Sequence, residues 1–259
     1  MRALLIGALL CAAVAGLAAA PAERPAVGAA GSAENYLYRV ELVQAAPGRL
    51  LELIELLRTQ AALVEAAGDT PPFWMRHSQG DRWDLLLLYP MGSYMEYYSA
   101  ERVARRVRAE NLASIAARIQ LVTAWQEDVF MFGPQLDALK AAFANAGFFH
   151  VEMMHALPGK LSELRTERDM ESAYQKQLHR PELFIFVRDQ GAAWDILSID
   201  FYRDLKHYSE SADIPAEQQE ASARAAGFPS ASQIGPYLRT LIASHHDTLA
   251  VAISPASKK

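Results

Sequence analysis

The sequence predicts an α+β protein in which two tandem βαββαβ units pair with each other within one chain. Three observations predict this fold class. The chain repeats itself at a shift of 111 residues, both copies show the same order of strand and helix patterns, and a Pro-Gly turn precedes the first helix of each copy. The repeat carries the most weight of the three observations, because it implies that each copy forms one structural unit.

The repeat aligns turn residues as well as apolar ones, in a single register over about sixty residues. Agreement at both kinds of position is rare between unrelated segments. The matched positions include the two Pro-Gly turns, two Trp-Asp pairs and one tyrosine: Pro47-Gly48 with Pro158-Gly159, Trp83-Asp84 with Trp194-Asp195, and Tyr97 with Tyr208.

Each element of the first copy has a local signal. Alternating apolar residues indicate strands, an apolar stripe at helical spacing follows the Pro-Gly turn, and Gly80 supplies the hairpin residue that tolerates positive φ. A long helical stretch separates the hairpin from the last strand. The predicted elements are a strand at residues 36–43, a helix at Leu50–Ala66, a hairpin at residues 73–76 and 83–89, and a strand at residues 128–132.

The second copy shows the same order, with Gly191 in its hairpin turn and with prolines that mark loops before its last strand. Between the copies, apolar residues at helical spacing predict a linking helix within residues 134–147. The predicted elements of the second copy are a strand at residues 148–154, a helix at residues 161–178, a hairpin at residues 183–187 and 194–201, and a strand at residues 248–253.

The order β-α-β-β-α-β is the ferredoxin-like arrangement, whose sheet carries helices on one face only. Two copies cover each other's bare sheets. The chain therefore resembles the dimeric α/β-barrel superfamily, in which antibiotic-biosynthesis-monooxygenase, NIPSNAP-like and EthD-like domains pair. This resemblance implies an intrachain dimeric α/β barrel, a pseudo-dimer. Its predicted parts are a first domain at residues 35–133, a linker helix at 134–147, a second domain at 148–254 and a tail at 255–259.

The first residues predict export. A basic start, a short apolar run and small residues near Ala22 follow the order of a secretory signal peptide, here residues 1–22. Residues 23–34 read as a flexible leader. The only cysteine, Cys11, lies inside the apolar run, so disulfides and thiol catalysis are excluded after cleavage. We expect a periplasmic or secreted protein without a membrane segment after cleavage. Its net charge of -5 argues against nucleic acid as a partner, because binding to phosphates needs basic side chains.

Strand alternation predicts which side chains face a cavity between the two sheets. The apolar alternates, such as Tyr38 and Phe149, or Leu197, Ile199 and Phe201, are expected to face the helices. The polar alternates are expected to face the cavity and to form the binding site. The predicted ligand-binding residues are Arg39, Glu41, Trp83, Tyr89, Trp194, Ser198 and Asp200, with His150 and Glu152 as catalytic candidates.

Three functions are compatible with this cavity. The leading hypothesis is a small-molecule-binding protein whose ligand, aromatic or otherwise apolar, lies between the sheets. The second is an enzyme. The resemblance implies cofactor-independent oxygenation, in which Glu152 or His150 removes a substrate proton and Arg39 stabilises the anion. Haem ligation by His150 is a minor variant. The third is a structural or interaction protein, in which the cavity is vestigial and the outer helices form the contacts. For Arg39, Glu41, His150 and Glu152 the structural alternative is two ion pairs that fix how the sheets dock.

Other polar residues are assigned structural roles. Asp84 and Asp195 are expected to bind backbone groups at the hairpins. His245-His246-Asp247 is expected to be a solvated loop. No metal site and no cofactor are predicted, and no phosphate-binding glycine loop, nucleophile elbow or zinc-protease helix occurs in the sequence.

Overall fold

The computed structural model describes residues 36–253. Its eight strands are β1 (Tyr36–Ala45), β2 (Phe73–Gln79), β3 (Leu85–Gly92), β4 (Thr123–Gly133), β5 (Phe148–Ala156), β6 (Phe184–Gly191), β7 (Ile196–Tyr202) and β8 (Ile242–Ala252). The helices of this part are α1 (Leu50–Ala66), α2 (Tyr94–Tyr97), α3 (Ala100–Arg108), α4 (Leu112–Val122), α5 (Leu136–Ala144), α6 (Leu161–Gln177), α7 (Leu205–Ser209), α8 (Ala216–Ala225) and α9 (Ile234–Arg239).

The eight strands form one closed antiparallel barrel in the order β1-β3-β2-β8-β5-β7-β6-β4. Strands β1 to β4 come from the first half of the chain and β5 to β8 from the second. The two halves join where β2 pairs with β8 and where β4 pairs with β6. Helices α1 and α4 of the first half and α6 and α9 of the second pack against the outer faces of the strands, whereas α5 contributes Leu139 to the interior cluster.

The predicted strands and helices are confirmed in type and order, and the main differences are at the last strands. β4 begins at Thr123 and β8 at Ile242, several residues before the predicted starts. The cause is tertiary pairing, because β4 bonds along all of β1 and β8 along most of β5. The segment His245–Asp247 therefore lies within β8, and its prediction as a loop is wrong.

Equivalent strands of the two halves have the same register. Val43 pairs with Leu85 in the first half, and Met154 pairs with Ile196 at the positions 111 residues later. The hairpin aspartates repeat too. Asp84 accepts a hydrogen bond from the backbone N–H of Ala45 at 2.8 Å, and Asp195 accepts one from Ala156 at 2.9 Å. The structural role predicted for both aspartates is confirmed.

The interior of the barrel is filled by large apolar side chains from both halves. Tyr38, Val40, Phe149 and Val151 are all fully buried in this cluster, together with residues of the other strands. Even Trp194, the most exposed member, has a relative accessibility of only 9%. The prediction that the apolar alternates face the helices is therefore wrong, and the described contacts do not support the predicted ligand cavity between the sheets. An eight-stranded barrel is just wide enough for side chains to fill.

The outer faces of the strands pack against the helices in two further clusters. In the first half, Leu85, Leu87 and Tyr89 contact the apolar stripe of α1 and residues of α4. In the second half, Met154 and Ile196 pack with Leu164 of α6. The residues that share a strand face with these, including the polar alternates, consequently lie between barrel and helices.

Two glycines allow each hairpin to approach the other half closely. A Cβ atom at Gly80 would overlap the carbonyl oxygen of Asp247 and lie 2.7 Å from Thr248 Cα. At Gly191 it would lie 2.5 Å from the carbonyl oxygen of Asp128. Both glycines have positive φ, of 125° and 111°. The two glycines therefore have a second role besides the predicted positive φ. They let the backbones of the two halves come into contact.

Some predictions fall on residues outside the described part of the chain. These are the signal peptide at residues 1–22 with Cys11, the leader at 23–34 and the tail at 255–259. Within residues 36–253, none of the helices combines the length and the apolar character needed to cross a membrane.

Candidate functional site

The second half places a group of polar side chains between the outer face of β5, β7 and β8 and helix α6. His150 on β5 is partly exposed, with 20% of its side-chain surface accessible. Its Nδ1 lies 3.2 Å from a carboxylate oxygen of Asp200 on β7, and its Nε2 lies 3.4 Å from one of Asp247 on β8. Asp247 also contacts His245, with 3.0 Å between His245 Nε2 and Oδ2. Strand pairing fixes these contacts, because His150 is directly opposite Asp200 in the β5–β7 register.

Glu152 lies two residues further along β5 and points toward α6. Its Oε2 is 3.1 Å from Nη1 of Arg168, a side chain with no exposed surface. Arg168 also donates a hydrogen bond of 2.7 Å from Nε to Glu167 and a further bond from Nη2 to Glu171. One guanidinium group is therefore shared by three carboxylates in a buried setting. We refer to His150, Glu152, Glu167, Arg168, Glu171, Ser198, Asp200, His245 and Asp247 as the second-half cluster.

Burial and neighbouring charges shift the pKa values within this cluster. Burial opposes a charge on His150, but hydrogen bonds to Asp200 and Asp247 outweigh it and raise the pKa of His150 to about 11. Burial raises the pKa of Glu152 to about 8, although the nearby guanidinium of Arg168 acts in the opposite direction. The hydrogen bond from His150 lowers the pKa of Asp247. At neutral pH the His150 imidazole thus carries its proton, and the Glu152 carboxyl loses its proton only as the pH approaches about 8.

Two buried polar atoms of the cluster have no hydrogen-bond partner among the described residues. They are Oγ of Ser198 and Oδ1 of Asp200, in side chains whose residues are 1% and 5% exposed. Ser198 lies directly opposite Glu152 in the β5–β7 register. Buried polar atoms are nearly always satisfied, so these two indicate a place where a further polar group fits.

The equivalent positions of the first half form a smaller polar group. Arg39 lies 3.2 Å from Glu41 and 3.5 Å from Asp128, and its guanidinium stacks over the ring of Tyr89 at 4.2 Å. Asp128 is opposite Glu41 in the β1–β4 register, as Asp247 is opposite Glu152 in the second half. One arginine on the strand thus satisfies both carboxylates.

The helices make the two halves different. The positions of α1 equivalent to Glu167 and Arg168 are Leu56 and Leu57, which are buried in an apolar cluster. Helix α6 therefore carries charged groups where helix α1 carries leucine. The second half has five carboxylates in its cluster, those of Glu152, Glu167, Glu171, Asp200 and Asp247, whereas the first half has two, those of Glu41 and Asp128.

The structure divides the predicted site residues into three places. Trp83 and Trp194 face the barrel interior as predicted, and they fill it. Arg39, Glu41 and Tyr89 lie on the helix side of the first half, and His150, Glu152, Ser198 and Asp200 lie on the helix side of the second. The predicted inward direction of these seven is wrong because apolar side chains take the barrel interior.

Arg39 lies in a different polar group of side chains from the catalytic candidates His150 and Glu152. In the barrel order, β1 is separated from β5 by β3, β2 and β8. Arg39 therefore does not stabilise an anion formed beside Glu152, and that part of the prediction is wrong. The cations placed next to Glu152 are Arg168 and His150 instead.

Sequence reasoning missed the residues of α6 and β8. The repeat itself contained the signal for α6, since aligning the copies puts Glu167 and Arg168 on leucines of a buried stripe. Charged residues in a buried stripe indicate a polar partner on the facing sheet. Asp247 was missed because the start of β8 depends on its pairing with β5.

A shallow pocket of about 420 Å³ opens onto the cluster at His150. Gln79 and Gly80 of the first-half hairpin form one side, and Tyr208 of α7 lies on another, with its ring centre 5.9 Å from that of His150. Asp247 and the next two residues of β8 complete the lining. Both halves of the chain thus contribute to the entrance, and a small molecule in the pocket would contact His150, Tyr208 and Asp247.

The cluster also contains a set of possible metal ligands. One ligand atom each of His150, Glu152 and Asp247 lies within 4.8 Å of the others. A haem-ligand role for His150 would require one of its two carboxylate contacts to break, since both ring nitrogens are engaged. The three residues could together hold a metal ion.

Neither a protein-family model nor a curated protein matches the sequence of the chain. Solved structures do match its fold. An anthrone oxidase-like protein superposes with a TM-score of 0.56 at 12% identity, covering 85% of this chain and 92% of its own. A candidate monooxygenase from Fusobacterium nucleatum subsp. nucleatum superposes with a TM-score of 0.52 at 8% identity, covering 85% and 93%. At these identities the similarity establishes the fold alone: the chain is an α+β protein with the dimeric α+β-barrel fold.

Proposed function

We propose that this protein is a monooxygenase-like oxidoreductase that acts on a small, electron-rich aromatic molecule at the second-half cluster. The observation that carries the proposal is the difference between the halves. The first half satisfies its polar positions with one arginine, whereas the second half collects acidic groups beneath a pocket that opens onto His150. The fold shared with an anthrone oxidase-like protein and a candidate monooxygenase supports the same class.

The proposed reaction needs a proton acceptor and a group that stabilises an anion. Glu152 is the acceptor in its ionised form, which predominates only above a pH of about 8, because its carboxyl lies beside His150 and Arg168 on the face beneath the pocket. The His150 imidazolium lines the pocket and stabilises the substrate anion. In the oxidation of a ring CH₂ to C=O, one atom of O₂ becomes the carbonyl oxygen, and the other leaves as water with the two hydrogens.

The small-molecule-binding hypothesis still applies, but the proposed ligand site lies in a different part of the molecule. The barrel interior is filled, so we place ligand binding on the helix side, in the pocket above His150. The aromatic ring of Tyr208 and the side chain of Leu249 suit an aromatic or apolar ligand. A NIPSNAP-like or EthD-like relationship stays a prediction beside this proposal.

Oxygen consumption tests the function. Anthrone and other electron-rich phenolic compounds are supplied to the EDTA-treated protein, and O₂ uptake is followed with an electrode. Loss of a general base should lower turnover by about 100-fold or more in Glu152→Gln. Glu41→Gln is the matched control, because Glu41 is the equivalent residue of the first half, and it should keep its turnover. Absence of oxygen uptake with every compound, or full turnover in Glu152→Gln, would reject the proposal.

We also propose that the chain arose by duplication of one ferredoxin-like unit. The shared register of the β1–β3 and β5–β7 pairs supports this. Residues 36–145 and 146–253, co-expressed as separate chains, should then associate one to one. Halves that stay separate after co-purification under native conditions would count against an intrachain pseudo-dimer.

Export to the periplasm is a further part of the proposal. Its support is the order of basic, apolar and small residues in the first 22 positions. Sequencing the N-terminus of protein recovered from the periplasm should give a start near Glu23. A protein that retains Met1 and stays in the cytoplasm would exclude a cleaved signal peptide.

A further inference from the structure

We propose that His150, Glu152 and Asp247 form a binding site for a divalent transition-metal ion such as Zn²⁺ or Mn²⁺. One donor atom from each lies within 4.8 Å of the others. With metal–ligand bonds of about 2.0–2.2 Å in a tetrahedral site, donors around one ion lie about 3.3–3.6 Å apart. Small side-chain rotations would therefore bring the three donors to an ion.

The strands hold these donors in place. Glu152 and Asp247 are direct neighbours in the β5–β8 register. His150 lies two residues from Glu152 on the same strand and therefore on the same face. Donors that project from paired strands vary less in position than donors on loops. The first half offers no comparable set, because Arg39 occupies the position equivalent to His150.

The contact between His150 Nδ1 and Asp200 is typical of a metal-binding histidine. Asp200 lies 3.2 Å from Nδ1, which fixes the ring and leaves Nε2 directed toward Asp247. Histidines that bind metals commonly donate their other N–H to a carboxylate in this way. An ion between Nε2 and Asp247 would replace the present 3.4 Å contact between them.

The acidic side chains of the cluster, and its buried polar atoms without partners among the described residues, both favour a cation at His150, Glu152 and Asp247. The cluster holds five carboxylates, from Glu152, Glu167, Glu171, Asp200 and Asp247, against the guanidinium of Arg168 and the two imidazoles of His150 and His245. Acidic groups in excess within a buried site favour a bound cation.

Independently of this excess, Ser198 Oγ and Asp200 Oδ1 are buried and have no hydrogen-bond partner among residues 36–253. Their residues lie opposite Glu152 and His150, the two donors on β5. A metal-bound water would supply the partner that these oxygens lack.

The donor types indicate the class of ion. One imidazole with two carboxylates suits Zn²⁺, Mn²⁺ or Fe²⁺, whereas Mg²⁺ prefers oxygen donors and keeps most of its water. The pocket above His150 would leave coordination positions open to water or to a ligand.

This inference does not depend on the proposed oxygenation. An ion bound to Glu152 would prevent that carboxylate from accepting a proton, so metal-loaded protein should lose the turnover described above. Metal binding and turnover are therefore measured separately, and either result stands without the other.

Isothermal titration calorimetry of the EDTA-treated, dialysed chain without an affinity tag tests the site. Zn²⁺ and Mn²⁺ should bind at one ion per chain, and Mg²⁺ should bind far more weakly. Asp247→Asn should weaken Zn²⁺ binding by at least about tenfold. The control Asp128→Asn changes the equivalent residue of the first half and should bind Zn²⁺ like the unchanged protein.

Asp247 is the preferred position because its side chain is half exposed, so its replacement leaves the core intact. If Asp247→Asn fails to fold, His150→Gln takes its place, with Arg39→Gln as the control. No heat of Zn²⁺ or Mn²⁺ binding to the unchanged protein would overturn the proposal, and so would equal affinities of Asp247→Asn and Asp128→Asn.

Discussion

Glu152 on β5 and Arg168 on α6 form a buried salt bridge, with 3.1 Å between Oε2 and Nη1. The pair joins the barrel to the helix layer of the second half. At the equivalent positions of the first half, Glu41 is paired with Arg39 on its own strand, and α1 presents Leu57. The same framework thus supports two different linkages between sheet and helix.

Replacing Arg168 with leucine, the residue type of the equivalent position on α1, should destabilise the protein. The change leaves Glu152, Glu167 and Glu171 buried without their shared cation, which costs about 3–5 kcal/mol in the free energy of unfolding. Urea unfolding at pH 7 measures it. Arg49→Leu, which removes an exposed ion pair with Glu52, should change this free energy by less than about 1 kcal/mol. Equal effects of both changes would contradict the buried network.

Stability should depend on the proton held by Glu152. The folded protein binds this proton up to a pKa of about 8, whereas an exposed glutamate releases it near 4.5. The unfolded state therefore binds fewer protons in this window, and the free energy of unfolding falls as pH rises from about 5 to 8. His150 acts in the same direction, because its pKa is raised from 6.5 to about 11.

Urea unfolding of EDTA-treated protein at pH 6 and pH 8 checks this. The unchanged protein should lose on the order of 1 kcal/mol per pH unit for each proton involved. Glu152→Gln should show a shallower decline, because glutamine does not titrate. Glu55→Gln on the exposed face of α1 is the control and should keep the full pH dependence. A decline in Glu152→Gln as steep as in the unchanged protein would show that another group is responsible.

Truncating Phe149 tests the direction of the strand faces. This side chain is fully buried in the barrel interior, so Phe149→Ala should cost about 3–5 kcal/mol. Phe132 is 36% exposed at the end of β4, and Phe132→Ala should cost much less. Thermal unfolding followed by circular dichroism compares the two. Similar losses of melting temperature would argue against a packed interior around Phe149.

The close approach at Gly80 should not tolerate a side chain. Gly80→Ala places a methyl group against the backbone of Asp247 and Thr248 and also strains a positive φ. We expect a loss of about 2 kcal/mol or more. Gly235→Ala in α9 is the control, since no atom lies within 4 Å of its added Cβ. A stable Gly80→Ala would mean that the hairpin can move away from β8.

Much of the framework could be predicted from local signals. The Pro-Gly turns, the apolar stripe of α1 and the hairpin glycines act through backbone geometry over a few residues, so the sequence alone predicted the strands and helices of both copies. The repeat added the pairing of equivalent strands. The positions of His150 and Glu152 on one strand face also follow from alternation alone.

Alternation could not predict whether that strand face is turned toward the barrel interior or toward the helices. Alternation shows that two sets of side chains lie on opposite faces, but it does not say which face is turned toward the other half. Tyr38, Val40, Phe149 and Val151 and the polar set with His150 satisfy the pattern equally well in either orientation. Closure of the barrel decides, because its narrow interior favours large apolar groups over charges.

By itself, the sequence determined the type and order of the strands, the first helix of each copy and the repeat of this pattern, since these depend on short-range propensity and periodicity. Only the tertiary structure decided that the polar residues lie under the helices, and that Arg168 and Asp247 join His150 and Glu152. The physical reason is that these contacts join strands and a helix whose separation in space depends on how the whole barrel closes.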